Sequence, residues 1–96
     1  MLSGKSILIT GGTGSLGKEL TKTIIKSWPN VHRLVIYSRD EQKQFQMMQD
    51  YPASKYPQIR FFIGDVRDRK RLSRAFEGID FVIHAAAMKH VHIAEY

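Results

Sequence analysis

Two short stretches of this 96-residue chain carry residue types that could do chemistry. One is "YPASK", Tyr51 to Lys55, whose Tyr-x-x-x-Lys spacing would set a phenol acid/base beside an ammonium. The other is "TGGTGSLG", Thr10 to Gly17, which holds Gly12-x-Gly14-x-x-Gly17 and, overlapping it, Gly11-x-x-Gly14-x-x-Gly17. Glycine permits a positive-φ turn, lets the main chain approach a pyrophosphate, and allows close helix-to-strand contact. A helix opening at the end of such a loop adds unpaired N–H groups and the positive end of its dipole. A tight turn with no ligand is the alternative for the glycines, so both motifs depend on the elements that carry them.

Those elements can be laid out from the pattern. Ser6 to Thr10, "SILIT", is a continuous apolar run of the kind a strand covered on both faces shows. The glycines follow at once, and from Leu16 the apolar positions Leu20, Ile24 and Trp28 draw one stripe down a helix that Pro29 and Asn30 close. Leu34 to Ser38, "LVIYS", is the second strand. Ser38 and Glu41 have capping-box spacing, which predicts a second helix starting there, carrying Phe45 and Met48 inward and ending before Pro52. Ile59 to Asp65 supplies a third strand, and Asp68 is placed to cap a third helix with Leu72, Ala75 and Phe76 facing in. Asp80 to Ala86 is the fourth strand. Strands alternating with helices imply parallel pairing and right-handed crossovers, hence an α/β doubly wound sheet in the order 3-2-1-4, the first part of a nucleotide-binding Rossmann fold. The segment "MKHVHIAEY" is followed by no later element, so residues 1–96 are expected to form the N-terminal part of such a domain in a longer enzyme.

Composition narrows the classes. With 43% hydrophobic and 25% charged residues, the chain reads as soluble and globular, with one small core. No apolar run approaches a membrane span, and the N-terminus does not read as a signal peptide. The absence of cysteine excludes disulfides and thiolate metal sites, and agrees with a reducing cytosol; no metal site is expected. The net charge of +6 is densest at "RDRKRLSR", Arg67 to Arg74, which reads as the solvated face of a helix, with a phosphate-binding patch for nucleic acid as the alternative and part of the charge free to face an anionic nucleotide.

The end of strand two, about 20 residues past the last glycine, is where an acidic side chain would bond a ribose 2′-hydroxyl. Ser38 and Arg39 stand there instead. Arginine offers a charged fork for a 2′-phosphate, and Ser38 and Lys43 can add donors. This favours NADP over NAD, against which Asp40 is the residue to weigh, as is the bland role of Ser38 as a helix cap. At the end of strand three, Asp65 is placed to accept from an adenine amino group. After strand four, "HAAAMKH" offers small side chains where the chain passes a cofactor, and His84 reads as a packed, hydrogen-bonded histidine rather than a catalyst.

Together, "TGGTGSLG", "YSRDEQKQ", "FFIGDVRD" and "DFVIHAAAMKHVHIAEY" resemble the N-terminal part of the extended short-chain dehydrogenases that act as inverting UDP-N-acetylglucosamine 4,6-dehydratases, the flagellin-sugar and pseudaminic-acid branch. Within these motifs His92 stands where proline is expected and Leu16 where phenylalanine is common. The resemblance implies a tightly held NADP⁺, hydride leaving C4 of a UDP-sugar, water eliminated across C5 and C6, and hydride returning to C6 with inversion at C5. It implies nucleotide contacts at Gly11, Thr13, Gly14, Ser15, Leu16 and Gly17, at Ser38, Arg39, Asp40 and Lys43, at Asp65 and Val66, and at Ala85 and Lys89, with Lys89 also reaching substrate. It further implies a cytoplasmic homo-oligomer without nucleic-acid or membrane partners. The rival readings are a UDP-sugar 4-epimerase or C5-epimerising relative, a non-catalytic NADP-binding module, and a basic nucleic-acid binder.

"YPASK" does not fit as the catalytic pair. It falls between helix two and strand three, at the amino ends of the strands, whereas cofactors bind beyond their carboxyl ends. A strand of about six residues separates the two ends by about 20 Å, and proton transfer needs contact within about 3 Å. The Asp-Lys pair and the true Tyr-x-x-x-Lys that the resemblance implies come after a fifth strand, so no catalytic residue is expected within residues 1–96.

Overall fold

The computed structural model describes residues 1–85. Its elements run β1 (Ser6–Thr10), α1 (Ser15–Ser27), β2 (Arg33–Ser38), α2 (Glu41–Asp50), β3 (Ile59–Ile63), α3 (Arg69–Ala75) and β4 (Phe81–His84). The four strands form one parallel sheet in the order β3-β2-β1-β4, as the alternation of strands and helices predicts. Register pairs Thr10 with both Tyr37 and His84, and Ser38 with Ile63, so the carboxyl ends of all four strands lie along one edge.

Why the sheet is covered on both faces follows from period-two alternation. Ile7, Ile9, Leu34 and Ile36 point to one face and pack with Ile24 of α1 and Met47 of α2. Leu8, Val35 and Tyr37 point to the other, where Ala75 and Leu72 of α3 meet them. Every β1 residue is therefore buried. Each Ile or Leu so enclosed contributes roughly 1.5–3 kcal/mol relative to exposure. The chain winds outward through α1 and α2 on one face, then returns beside β1 through α3 on the other. Reversal of the strand order between β1 and β4 makes a topological switch point, beyond whose carboxyl ends such sheets bind ligands.

Several boundaries differ from the sequence expectation. Ser38 does not cap α2: Asp40 does, its Oδ1 accepting from the Lys43 N–H at 3.0 Å. Starting the helix there turns a different stripe inward. Gln44 and Met47 are buried, while Phe45 and Met48, the expected inward pair, are 62% and 46% exposed. Asp68 caps α3 as expected, accepting from the Arg71 N–H at 3.1 Å, but Phe76 lies past the helix end and is exposed. Strand β3 stops at Ile63 rather than Asp65; Gly64 N–H makes one more bond to β2, at Ser38 O, before the chain turns away. Strand β4 begins at Phe81, and Ala86, its expected last residue, lies outside the described residues. β4 is an edge strand among the described residues, with Phe81 and Val82 partly exposed.

Candidate functional site

The glycine loop is shaped by contacts that side chains would block. Gly11 has φ +67°, the left-handed region that glycine enters without strain. A Cβ on Gly12 would stand 2.6 Å from Ile36 Cγ2, and one on Gly17 would stand 2.5 Å from the backbone of Gly12. The loop thus lies close on β2, with Gly11 N–H donating to Tyr37 O at 2.9 Å. Gly14 occupies the N-cap of α1 with no side-chain cap, the first turn has no acidic residue, and the backbone ladder begins at Lys18 N–H to Gly14 O. The first-turn N–H groups are left without an intrahelical partner at the positive end of the helix dipole.

A groove of about 570 Å³ opens beside this loop, across the carboxyl ends of β1, β2 and β3. Gly11, Thr13 and Gly14 form one wall; Ser38, Arg39, Asp40 and Lys43 another; Asp65 and Val66 a third. Nine of the expected cofactor residues are therefore brought together. Ser15, Leu16 and Gly17 stand behind the loop in the first turn of α1, and Ala85 is buried with its N–H on Thr10 O at 3.0 Å; none of the four lines the groove. Lys89 lies outside the described residues.

The groove's charges are arranged around Asp65. Arg67 forks onto this carboxylate, Nη2 to Oδ2 at 2.9 Å and Nε to Oδ1 at 3.2 Å, and its N–H also donates to Oδ1. Arg39 approaches Oδ2 at 3.6 Å. The Arg67 side-chain bonds, its backbone N–H and then the Arg39 charge hold the Asp65 carboxyl well below the usual carboxylate range. Asp65 therefore stays an acceptor at any working pH. The Arg39 guanidinium remains largely exposed, available to an anion in the groove.

Three further residues shape the site and were not singled out by sequence. Tyr37 is fully buried, stacks on Phe62 and donates its hydroxyl to Asp65 O at 3.0 Å, which fixes the backbone there. Burial first, then the charge of Asp68, pushes its phenol upward, so it remains a donor. Gly64 also lines the groove, and a Cβ there would collide with the Tyr37 hydroxyl. Gln44, buried on α2, donates to Ser38 O, Ser38 Oγ and Phe62 O at 3.0 to 3.2 Å. The basic run also divides: Arg67 faces the groove, and Arg71 lies 4.4 Å over the Phe62 ring while bonding Ile63 O. That half of the run is tied to the fold rather than simply solvated. His84 accepts or donates at Nδ1 with Thr10 Oγ1 at 3.0 Å, hydrogen-bonded as expected though exposed rather than packed.

"YPASK" sits where topology places it, on the connection from α2 into β3 and thus at the amino end of the sheet. Tyr51 packs edge-on against Tyr56 and joins the core cluster under α1 and α2. Burial and the neighbouring Tyr56 raise its phenol, the opposite of what an acid/base tyrosine requires. The five residues of β3 put about 16 Å between this end and the groove.

A parallel sheet wound 3-2-1-4, a glycine loop opening an uncapped helix, and a groove across the strand ends define an NAD(P)-binding fold of the Rossmann type. Residues 7–96 match the family described as polysaccharide biosynthesis protein, and the chain belongs to that family. It is 59% identical over 97 aligned residues to a Campylobacter jejuni protein named UDP-N-acetylglucosamine 4,6-dehydratase (inverting), and 41% identical over 98 to a Rickettsia felis UDP-glucose 4-epimerase. All of this chain aligns with each, yet it spans only 28% of either relative's length. The crystal structure of Pen from Bacillus thuringiensis superposes with a TM-score of 0.81 at 38% identity, over all of this chain and 28% of that one. Among the described residues no helix is long and apolar enough to cross a membrane.

Proposed function

We propose that this chain is the NADP-holding N-terminal part of an inverting UDP-N-acetylglucosamine 4,6-dehydratase, with the catalytic residues and the rest of the substrate site supplied by further sequence. The observation that carries the cofactor half of this reading is the end of β2, where Ser38 and Arg39 face the groove and the nearest acid, Asp40, uses Oδ1 to cap α2. In this reading the loop from Gly11 to Gly17 holds the pyrophosphate, Ser38, Arg39 and Lys43 hold the 2′-phosphate, and Asp65 and Val66 border the adenine. The same reading assigns cofactor contacts to Ala85 and Lys89, and a substrate contact to Lys89, which lies outside the described residues. Bound NADP⁺ supplies reversible hydride storage, so that the sugar is oxidised at C4, loses water across C5 and C6, and is reduced at C6 with inversion at C5. Identity to the Campylobacter dehydratase supports the substrate half. The pseudaminic-acid route, a cytoplasmic setting and a homo-oligomeric state belong to the same proposal.

The alternative is a UDP-sugar 4-epimerase, which the Rickettsia relative supports. The two are separated by product. Full-length protein incubated with UDP-N-acetylglucosamine should give a 4-keto-6-deoxy sugar inverted at C5 by NMR. Formation of the C4 epimer without loss of water would establish the epimerase instead.

A further inference from the structure

Gln44 is a glutamine with 2% exposure on a helix where two large apolar residues, Phe45 and Met48, are exposed and Met47 is buried. A buried amide so placed calls for a reason. Its Nε2 meets three oxygens: Ser38 O at 3.2 Å, Phe62 O at 3.1 Å and Ser38 Oγ at 3.0 Å. Two of these are carbonyl oxygens, which only accept. The amide nitrogen, not its oxygen, must therefore face them, whatever the ambiguity of amide orientation.

The consequence falls on Ser38. A serine hydroxyl has one proton and two lone pairs. Nε2 has two protons for three acceptors, so at least one is shared; as Nε2 accepts nothing, the Ser38 hydroxyl proton must turn elsewhere. Ser38 Oγ donates no hydrogen bond among the described residues, and Ser38 lines the groove beside Arg39. From this we infer that Gln44 is a positioning residue that fixes the Ser38 hydroxyl as a donor into the groove, biasing the site toward a phosphate monoester, whose charged oxygens accept such a bond more strongly than a ribose hydroxyl does.

This rests on the NADP reading above, and the test separates the two. Dissociation constants for NADP⁺ and NAD⁺ are measured by calorimetry on full-length wild type, Gln44→Met, Ser38→Ala and the double variant. Wild type should favour NADP⁺. Ser38→Ala should cut that preference by about tenfold, the size of one bond to a charged group. Gln44→Met should cut it by roughly threefold or more while NAD⁺ affinity stays within about twofold, and should cause no further loss in the Ser38→Ala background. A Gln44→Met protein that keeps the wild-type preference, or weakens both cofactors equally, would overturn the inference and leave the NADP reading intact. A wild type with no preference would remove the NADP reading and the inference with it. Should Gln44→Met not fold, Ser38→Thr against Ser38→Ala decides: retention by threonine and loss by alanine supports a donated proton, and no change in either overturns it.

Discussion

Removing the Arg39 guanidinium should take away a large part of the groove's preference for NADP⁺ over NAD⁺, leaving the part that the Ser38 hydroxyl contributes. A charge-assisted bond contributes roughly 1.5–3 kcal/mol, or about 10- to 150-fold in affinity. Arg39 belongs at the lower end, for its side chain is 75% exposed and already leans on Asp65 at 3.6 Å. Water and salt discount an exposed ion pair, with a screening length of about 8 Å at physiological ionic strength. Arg39→Ala in full-length protein should therefore weaken NADP⁺ by roughly tenfold and NAD⁺ by less than about twofold. Arg39→Lys should recover part of the difference, since it restores charge without the fork. Thermal stability should hardly move, because Arg67 still grips Asp65 with both nitrogens. Calorimetric titration of each variant with both cofactors, at two salt concentrations, reads all of this. Equal losses for the two cofactors, or none, would refute the placement of the 2′-phosphate at the end of β2.

Other perturbations probe separate links. Tyr51→Phe should leave turnover of full-length enzyme within about threefold, whereas loss on the 10²–10⁴-fold scale of acid–base catalysis would mean that this tyrosine reaches the chemistry. Gly64→Ala should destabilise by about 1–3 kcal/mol, seen as a lower melting point, because the new methyl displaces the Tyr37 hydroxyl from its bond to Asp65 O; an unchanged melting point would contradict that packing. The pH dependence has a definite sign. Asp65 has a folded-state pKa depressed by Arg67, so its contribution to stability is present above the ordinary carboxylate range and is lost only as pH falls through the lower folded value. Between pH 8 and pH 5, therefore, Asp65 does not titrate. The preference for NADP⁺ should still shrink as pH drops below about 6, where a phosphate monoester loses its second charge.

Much of the fold was legible because β1 and β2 are continuous apolar runs and the glycines fall at a strand end, a pattern with few three-dimensional solutions. The glycine loop and the Ser38–Arg39 pair were legible for the same reason, as both are fixed by distance from strand ends. What escaped was the rotation of α2. Ser38 and Glu41 have the spacing of a cap, but the helix is capped two residues later, by Asp40 accepting from the Lys43 N–H. Gln44 then replaces Phe45 as the inward side chain. Sequence gave no reason to bury a glutamine, because its acceptors, Ser38 O and Phe62 O, are brought together only by pairing of β2 with β3. Arg67 was hidden in a basic run, and the signal that separates it is local: an Asp two residues earlier, with which it forms the fork.

A structure of the full-length protein with NADP⁺ bound tests the central claim most directly. The account predicts the pyrophosphate over the N-terminus of α1 and the 2′-phosphate within about 3 Å of Ser38 Oγ and an Arg39 nitrogen. A dinucleotide whose ribose 2′ position rests on Asp40, or one bound at the amino ends of the strands beside Tyr51, would contradict it.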